Sequence, residues 1–379
     1  MISKLGLENF AKFGELNINF SSKINVIIGE NGTGKTQLLK AAYVANAALA
    51  LGNEQSDLTD KLCSTFRPNG DALGKLVRNG TPGGQHAKIN AEFGHGQRLS
   101  AEFTSSSKKI KLTHFTNESG GLNPPIFLPT KEVLSLYKGI TSDKSDKPTL
   151  HSLFDATYLD LCEKLSVKRP IKLEDAIDQN PRFGQVYQKL VNTIEGRFRL
   201  GHFGHTTFEP GRFEEQRAKD QHQLNTRTKT VFVPIKDETI SAQMAAEGVR
   251  KLGILQLLLE NQQLNLGGSG TLIWDEPETN MNPKLMRLLV ETLLELARNG
   301  QQIILATHDY VLLKWFDLLA DKGKGDHVKF HALFRNTDNG QIQLESTDDY
   351  LAITPNAITD AFNDLTKEQV RSKMGNLGK

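Results

Sequence analysis

Only two cysteines, Cys63 and Cys162, occur in 379 residues. They are too few for a disulfide framework and lack CxxC spacing, which points to a reducing compartment and to no structural zinc. Charge of one sign is lacking too: a formal net charge of +2 decides nothing about partners, so any case for nucleic acid has to be local. No apolar run approaches membrane-spanning length, and the opening Met1-Ile2-Ser3-Lys4-Leu5 lacks the apolar stretch of a signal peptide. A cytoplasmic protein with no membrane partner is expected. With 38% hydrophobic and 24% charged residues, the chain has the mix of a globular protein and enough material for one large or two ordinary domains.

What is present is most concentrated at Gly29-Glu30-Asn31-Gly32-Thr33-Gly34-Lys35-Thr36, which fits GxxxxGK[ST] at every fixed position. Glycines let consecutive backbone N–H groups turn inward on phosphate oxygens, and the following helix N-terminus adds partial positive charge. Lys35 adds a full charge, and Thr36 would place its hydroxyl on Mg²⁺ bridging the β- and γ-phosphates. The flanks suit the motif: Lys23–Ile28 is a β-branched run, and Lys35–Leu51 is rich in alanine and leucine, giving strand, glycine loop and helix in order. ATP and Mg²⁺ are the implied cofactors.

A second motif lies far downstream. Thr271-Leu272-Ile273-Trp274-Asp275-Glu276 is an apolar strand ending in two carboxylates, and Pro277 stops it. Read as a Walker B strand, it is expected to lie beside the P-loop strand, with Asp275 near the Mg²⁺ that Thr36 touches. Glu276 would polarise the attacking water as general base, a role worth about 10²–10⁴-fold in rate. An acidic pair after a strand also serves as a helix N-cap or a surface loop. Gly270 before the strand and Pro277-Glu278-Thr279-Asn280-Met281-Asn282-Pro283 after it argue for the first reading.

Leu7-Glu8-Asn9-Phe10, followed by the run Ile24–Thr36, resembles the opening of the RecF, SMC and OLD branch of ABC-type ATPases. The segment from Asp275 to Pro283 resembles that family's DEPE…NP continuation. The resemblance implies an α/β P-loop NTPase with an ABC ATPase-like head, a mixed central sheet, an antiparallel β lobe and a helical insertion lobe. On this chain that divides into a core of residues 1–134 and 226–379, a β lobe at about 85–128, and an inserted helical lobe at 135–225. His308, in Thr307-His308-Asp309, resembles the switch histidine that bonds the γ-phosphate. Ser241, Glu247 and Gly248 stand where the family has its signature stretch, which caps the γ-phosphate of the opposite subunit. The LSGGQ spelling is missing, so a plain amphipathic helix over Ser241–Leu264 is the alternative. Asn280 and Asn282 fall at the family's D-loop, which often carries histidine. Lys131 and Glu132 fall in a Pro-x-[Lys/Arg]-Glu segment that joins the two lobes near the γ-phosphate, where other ABC ATPases have glutamine. An ordinary strand-to-helix corner reads equally well there.

The rest of the chain is read from pattern. Residues from Gly52 to about Gly84 are polar and glycine-rich, with Asn79-Gly80-Thr81-Pro82-Gly83-Gly84 the clearest loop. Lys88–Phe93 and Gln97–Phe103 alternate around Gly94-His95-Gly96 as a hairpin, and a further strand near Lys109–Phe115 completes a subdomain. Between 61 and 111 lies the one basic bias, including Lys61, Lys75, Arg78, Lys88, Arg98, Lys108, Lys109 and Lys111. It reads either as a solvated surface or as a phosphate-backbone footprint. Leu153–Leu165 and Gln185–Ile194 have helical periodicity, interrupted by Pro170 and Pro181. Arg197–Leu200, Thr206–Phe208 and Thr230–Val233 read as strands, separated by the charged stretch Arg212–Arg227, which is expected to be a mobile connection. Heptads are not sustained, so no long coiled coil is expected, and no Toprim domain.

As in the resembled family, two subunits would form an ATP-dependent head-to-tail dimer, with higher assembly left open. The expected function is ATP binding and hydrolysis that switches a partner effector, a nuclease, in anti-phage defence. The alternative is a RecF-like ATPase that binds DNA in repair, which leaves nucleic acid open as a partner. A transporter ATPase subunit is disfavoured by the missing LSGGQ and glutamine.

Overall fold

The computed structural model describes residues 1–51, 55–116, 123–141, 153–168, 173–201, 204–219, 226–235, 238–264 and 270–375. The chain opens with β1 (Ile2–Phe10), β2 (Phe13–Asn19) and β3 (Ile24–Gly29), then α1 (Lys35–Leu51) and α2 (Gln55–Phe66). Strands β4 (Ala87–Phe93), β5 (Arg98–Phe103), β6 (Lys111–Thr116) and β7 (Ile126–Leu128) follow. Helices α3 (Tyr137–Thr141), α4 (Ala156–Leu165), α5 (Leu173–Gln179) and α6 (Pro181–Ile194) lead to β8 (Gly196–Leu200), β9 (Thr206–Lys219), β10 (Thr226–Pro234) and β11 (Ile240–Ser241). Then come α7 (Glu247–Glu260), β12 (Leu272–Asp275), α8 (Pro283–Arg298), β13 (Ile303–Ala306), α9 (Tyr310–Leu319), β14 (Val328–Arg335), β15 (Ile342–Thr347) and α10 (Ala357–Gly375).

The core sheet is mixed, in the order β15-β14-β3-β13-β12-β7, with β15 antiparallel to β14 and the other pairs parallel. Every residue of β3 is buried, which is why it reads as a continuous apolar run rather than an alternation. Its two faces serve two cores. Ile24, Val26 and Ile28 pack with Trp274, Leu305 and the helices α6 to α8. Ile27 packs with Ile273, Ile304, Leu38 and Leu39, a core shared with the β lobe.

That lobe is an antiparallel sheet in the order β2-β1-β4-β5-β6. The alternation of β4 turns Ala87, Ile89, Ala91 and Phe93 inward, as a half-wet sheet requires. The lobe takes two strands from the N-terminus and stops short of β7, which belongs to the core sheet rather than to a lobe ending at 128. Nor does β12 pair with β3, as expected for the two motif strands: β13 lies between them. The ends stay level because Asp275 pairs with Ala306, and Ala306 with Ile27.

The inserted region is helical only in its first part. β8 to β11 form a second antiparallel sheet in which β9 pairs with β8, β10 and β11. The charged stretch from Arg212 is thus largely strand: Phe213 faces Phe232 across the ladder with ring centroids 5.6 Å apart, while charged neighbours take the wet face. Residues 220–225, like Pro170, lie outside the described residues. The polar stretch after Gly52 contains α2, whose buried Leu58 and Leu62 form an i, i+4 pair. The helix expected from Ser241 begins at Glu247, because Ser241 pairs with Thr207 and then caps a 3₁₀ turn. No helix among the described residues is long and apolar enough to cross a membrane.

Candidate functional site

The P-loop leaves the C-terminal end of β3 and enters α1, at the edge of the sheet where parallel α/β folds bind ligands. Gly34 has φ +98°, and a Cβ there would sit 2.9 Å from the Phe13 ring. Gly29 has a Cβ position only 2.3 Å from the Leu333 carbonyl oxygen. The two ends of the loop are therefore pressed against β14 and the β lobe, with room for backbone only at Gly29 and Gly34. Thr33 Oγ1 closes its turn on the Glu30 carbonyl at 2.9 Å. Lys35 is 7% exposed, and its Nζ donates to the carbonyls of Gly29 at 2.7 Å and Glu30 at 3.1 Å. Burial lowers its pKa, against the attraction of Glu276, Asp275 and Glu278.

Thr36 Oγ1 donates to Asp275 Oδ2 at 2.8 Å. Thr130, at the end of β7, donates to the same oxygen at 3.2 Å. Asp275 Oδ1 is buried and has no hydrogen-bond partner. A buried carboxylate oxygen without a donor beside a threonine hydroxyl is the donor set of a hard divalent cation, so Thr36 and Asp275 fit Mg²⁺. Burial raises the Asp275 pKa, which the Thr36 bond opposes and Glu276 reinforces.

Glu276 and His308 come together. Glu276 N donates to the Ala306 carbonyl at 2.9 Å, Thr279 Oγ1 donates to its Oε2 at 3.3 Å, and His308 Nδ1 lies 3.4 Å from its Oε1. Glu278, two residues on, is buried and accepts from Thr307 Oγ1 at 2.7 Å and from the His308 amide at 3.0 Å. His308 Nδ1 is also 3.6 Å from Glu278 Oε1, and its ring is half exposed. Thus β12 supplies two carboxylates, β13 supplies the histidine, and Glu278 ties the ends together.

The other residues singled out from the sequence fare differently. Asn280, in a left-handed turn, donates to Glu247 Oε2 at 2.9 Å, so these two meet within one chain. Asn282 caps α8, accepting from the Lys284 amide. Ser241 is exposed and accepts from Gln243 N at 3.4 Å; nothing brings it to the P-loop. Glu132 is buried, paired with Arg250 Nε at 2.7 Å and capping Ser135 N, which ties the end of β7 to the start of α7. Lys131 is exposed and lines a cleft of about 770 Å³ with Lys40, Tyr158, Glu247, Arg250 and Asn280.

Sequence reasoning missed Thr130, Glu278 and Lys12. Thr130 directly precedes Lys131 but is the residue that reaches Asp275. Lys12, in the β1–β2 turn, donates to the Gly32 carbonyl at 2.9 Å. A lysine in a hairpin turn carries no signal of that contact. The basic bias between 61 and 111 is partly paired: Lys61 with Asp160, Lys88 with Glu8 and Lys111 with Glu102. Lys75, Arg98, Lys108 and Lys109 remain exposed.

Residues 24–314 match a family model described as AAA domain, putative AbiEii toxin, Type IV TA system. The chain is 30% identical over 139 residues to the DNA replication and repair protein RecF of Bacillus cytotoxicus, covering 36% of this chain and 33% of that protein. It is 28% identical over 205 residues to RecF of Oenococcus oeni, covering 50% and 49%. The alignments thus span a third to a half of these relatives. Among solved structures, the Smc head domain derived from Pyrococcus furiosus, with an extended coiled coil and bound to the C-terminal domain of ScpA, matches with a TM-score of 0.51 at 13% identity, covering 97% of this chain and 99% of that one. This last likeness is one of fold.

Proposed function

The chain belongs to the AAA-domain family matched over residues 24–314 and is an ABC-type ATPase of the RecF and SMC branch, and on that premise we propose that it binds ATP with Mg²⁺ and hydrolyses it to ADP and phosphate. The observation that carries this reading is the meeting of Thr36, Thr130 and Asp275 at the mouth of the P-loop, beside Glu276 and His308. The amides of the loop and the N-terminus of α1 face the phosphates. Lys35 exchanges its bonds to Gly29 and Glu30 for phosphate oxygens. Thr36 and Asp275 would hold Mg²⁺, which would offset phosphate charge there. Glu276 takes a proton from water as the water oxygen bonds to the γ-phosphorus and the bond to the bridging β–γ oxygen breaks. His308, steadied by Glu278, orients toward the γ-phosphate.

The site is completed by a second copy in a head-to-tail dimer, which brings the start of α7 with Ser241, Glu247 and Gly248 over the nucleotide, and the loop of Asn280 and Asn282 against the facing P-loop. ATP joins the copies and hydrolysis releases them. The proposed cycle switches a separate effector, a nuclease, in anti-phage defence; the matched family's description names a putative toxin and a TA system, which is compatible with a chain that acts on a partner but names neither a nuclease nor phage. A second reading, a RecF-like ATPase that itself binds DNA, draws support from the relatives' names and from exposed Lys75, Arg98, Lys108 and Lys109. Gel filtration of the Glu276→Gln variant with Mg-ATP tests the dimer cycle. A persistent dimer that retains ATP is expected, and normal turnover in this variant would remove Glu276 from the mechanism.

A further inference from the structure

Helix α7 carries a lysine on its buried face. Lys251 is 2% exposed and shares that face with fully buried Leu255 and Leu258, at i, i+4 and i+7. A buried ammonium is costly unless it is bonded and opposed by negative charge. Here Nζ donates to the backbone carbonyl of Glu276 at 3.1 Å. Burial lowers the Lys251 pKa, and the carboxylates of Glu247, Glu278, Glu276 and Asp275 act against that shift.

Glu276 is an unusual residue to hold in this way. Its φ is +48°, a left-handed backbone that residues with a side chain adopt only at a cost. The peptides on both sides of its Cα are fixed: the amide donates to Ala306 at 2.9 Å, and the carbonyl accepts from Thr279 N at 3.2 Å as well as from Lys251. Fixing both peptides fixes the direction of Cβ, and from there Thr279 Oγ1 at 3.3 Å and His308 Nδ1 at 3.4 Å hold the carboxylate. The first turn of α7 lies flat on the same loop. A Cβ on Gly248 would stand 2.8 Å from Met281 Cα, and Glu247 accepts from Asn280.

We propose that Lys251 is a positioning residue for Glu276, holding the backbone of the general base from helix α7 so that its carboxylate points at the attacking water. The role rests on the ATPase reading above. A lysine that served packing alone would leave turnover untouched in any variant that folds. A positioning lysine affects kcat and spares nucleotide binding.

The test is steady-state ATP turnover, fluorescent-nucleotide binding and thermal melting of the full chain with Mg²⁺, in wild type, Lys251→Met, Lys251→Gln and Lys251→Arg. Glutamine keeps a donor but is one bond shorter, so it falls short of the carbonyl. With Met, kcat should fall about 100-fold, the cost of a small misplacement of a reacting group, while KM and nucleotide affinity stay within about twofold. Gln should lower kcat at least about tenfold, and Arg should recover most of the Met loss. Wild-type kcat in folded Met or Gln variants would overturn the proposal and leave the ATPase reading standing. Failure of both to fold, or KM rising as much as kcat falls, would make Lys251 a structural cation and also overturn it. An inactive wild-type chain would overturn both readings.

Discussion

Replacing Glu278 by alanine should loosen the His308 backbone and leave the P-loop intact. The carboxylate accepts two bonds, from Thr307 Oγ1 at 2.7 Å and from the His308 amide at 3.0 Å. Hydrogen bonds to a charged acceptor contribute about 1.5–3 kcal/mol each, so their joint loss costs about 3–6 kcal/mol. Part of this returns, because the variant no longer buries a carboxylate whose Oε2 has no partner. A net local loss of about 2–3 kcal/mol follows, which is about 30- to 150-fold faster exchange of the His308 amide. Hydrogen exchange read on peptides spanning 305–311 measures it directly. Glu278→Gln keeps a neutral acceptor at Oε1 and should exchange between wild type and the alanine variant. Unchanged protection of the His308 amide in the alanine variant would refute the reasoning. The same pair of variants carries a pH signature. Burial raises the Glu278 pKa above its ordinary 4.5, with the amide and Thr307 bonds opposing. The folded chain therefore holds this proton more tightly than the unfolded chain does. This contribution to stability is complete below 4.5 and is lost as the pH rises through the raised folded value. Glu278→Gln should flatten that fall.

For Lys35→Ala, the expected outcome is loss of nucleotide affinity in an equilibrium binding titration, since it removes the only full charge within the P-loop that matches phosphate; wild-type binding would contradict the cradle. If the β lobe meets DNA, reversing exposed Lys75, Arg98, Lys108 and Lys109 to glutamate should flatten the dependence of log K on log salt by up to about 0.9 per lost contact on a duplex. An unchanged slope would dispose of that footprint.

The site was legible where chemistry restricts the residue choice. Gly29 and Gly34 are needed because Leu333 and Phe13 leave no space for a side chain there, and the apolar runs into Asp275 and Thr307 reflect strands covered on both faces. Less legible were contacts made by residues with many ordinary uses. Thr130 looks like any residue at a strand end, and Lys251 looks like a polar interruption of an apolar helix, although its place on the Leu255–Leu258 face was a signal. Local composition also misled. Charges along Arg212–Glu215 concealed a period of two anchored by Phe213, and polar residues in α2 concealed Leu58 and Leu62. The interposition of β13 between the two motif strands is a matter of sheet order, set by long-range packing that local pattern does not carry.

ATP hydrolysis at this site is tested most directly by phosphate release from ATP by the purified chain, measured with and without Mg²⁺ and beside Asp275→Asn. Wild type should release phosphate only with Mg²⁺. The variant, which keeps a side-chain oxygen for Thr36 and Thr130 but lacks the anionic oxygen now unpartnered, should remain folded and lose that release. A folded wild-type chain that releases no phosphate, or a variant that turns over ATP at the wild-type rate, would contradict it.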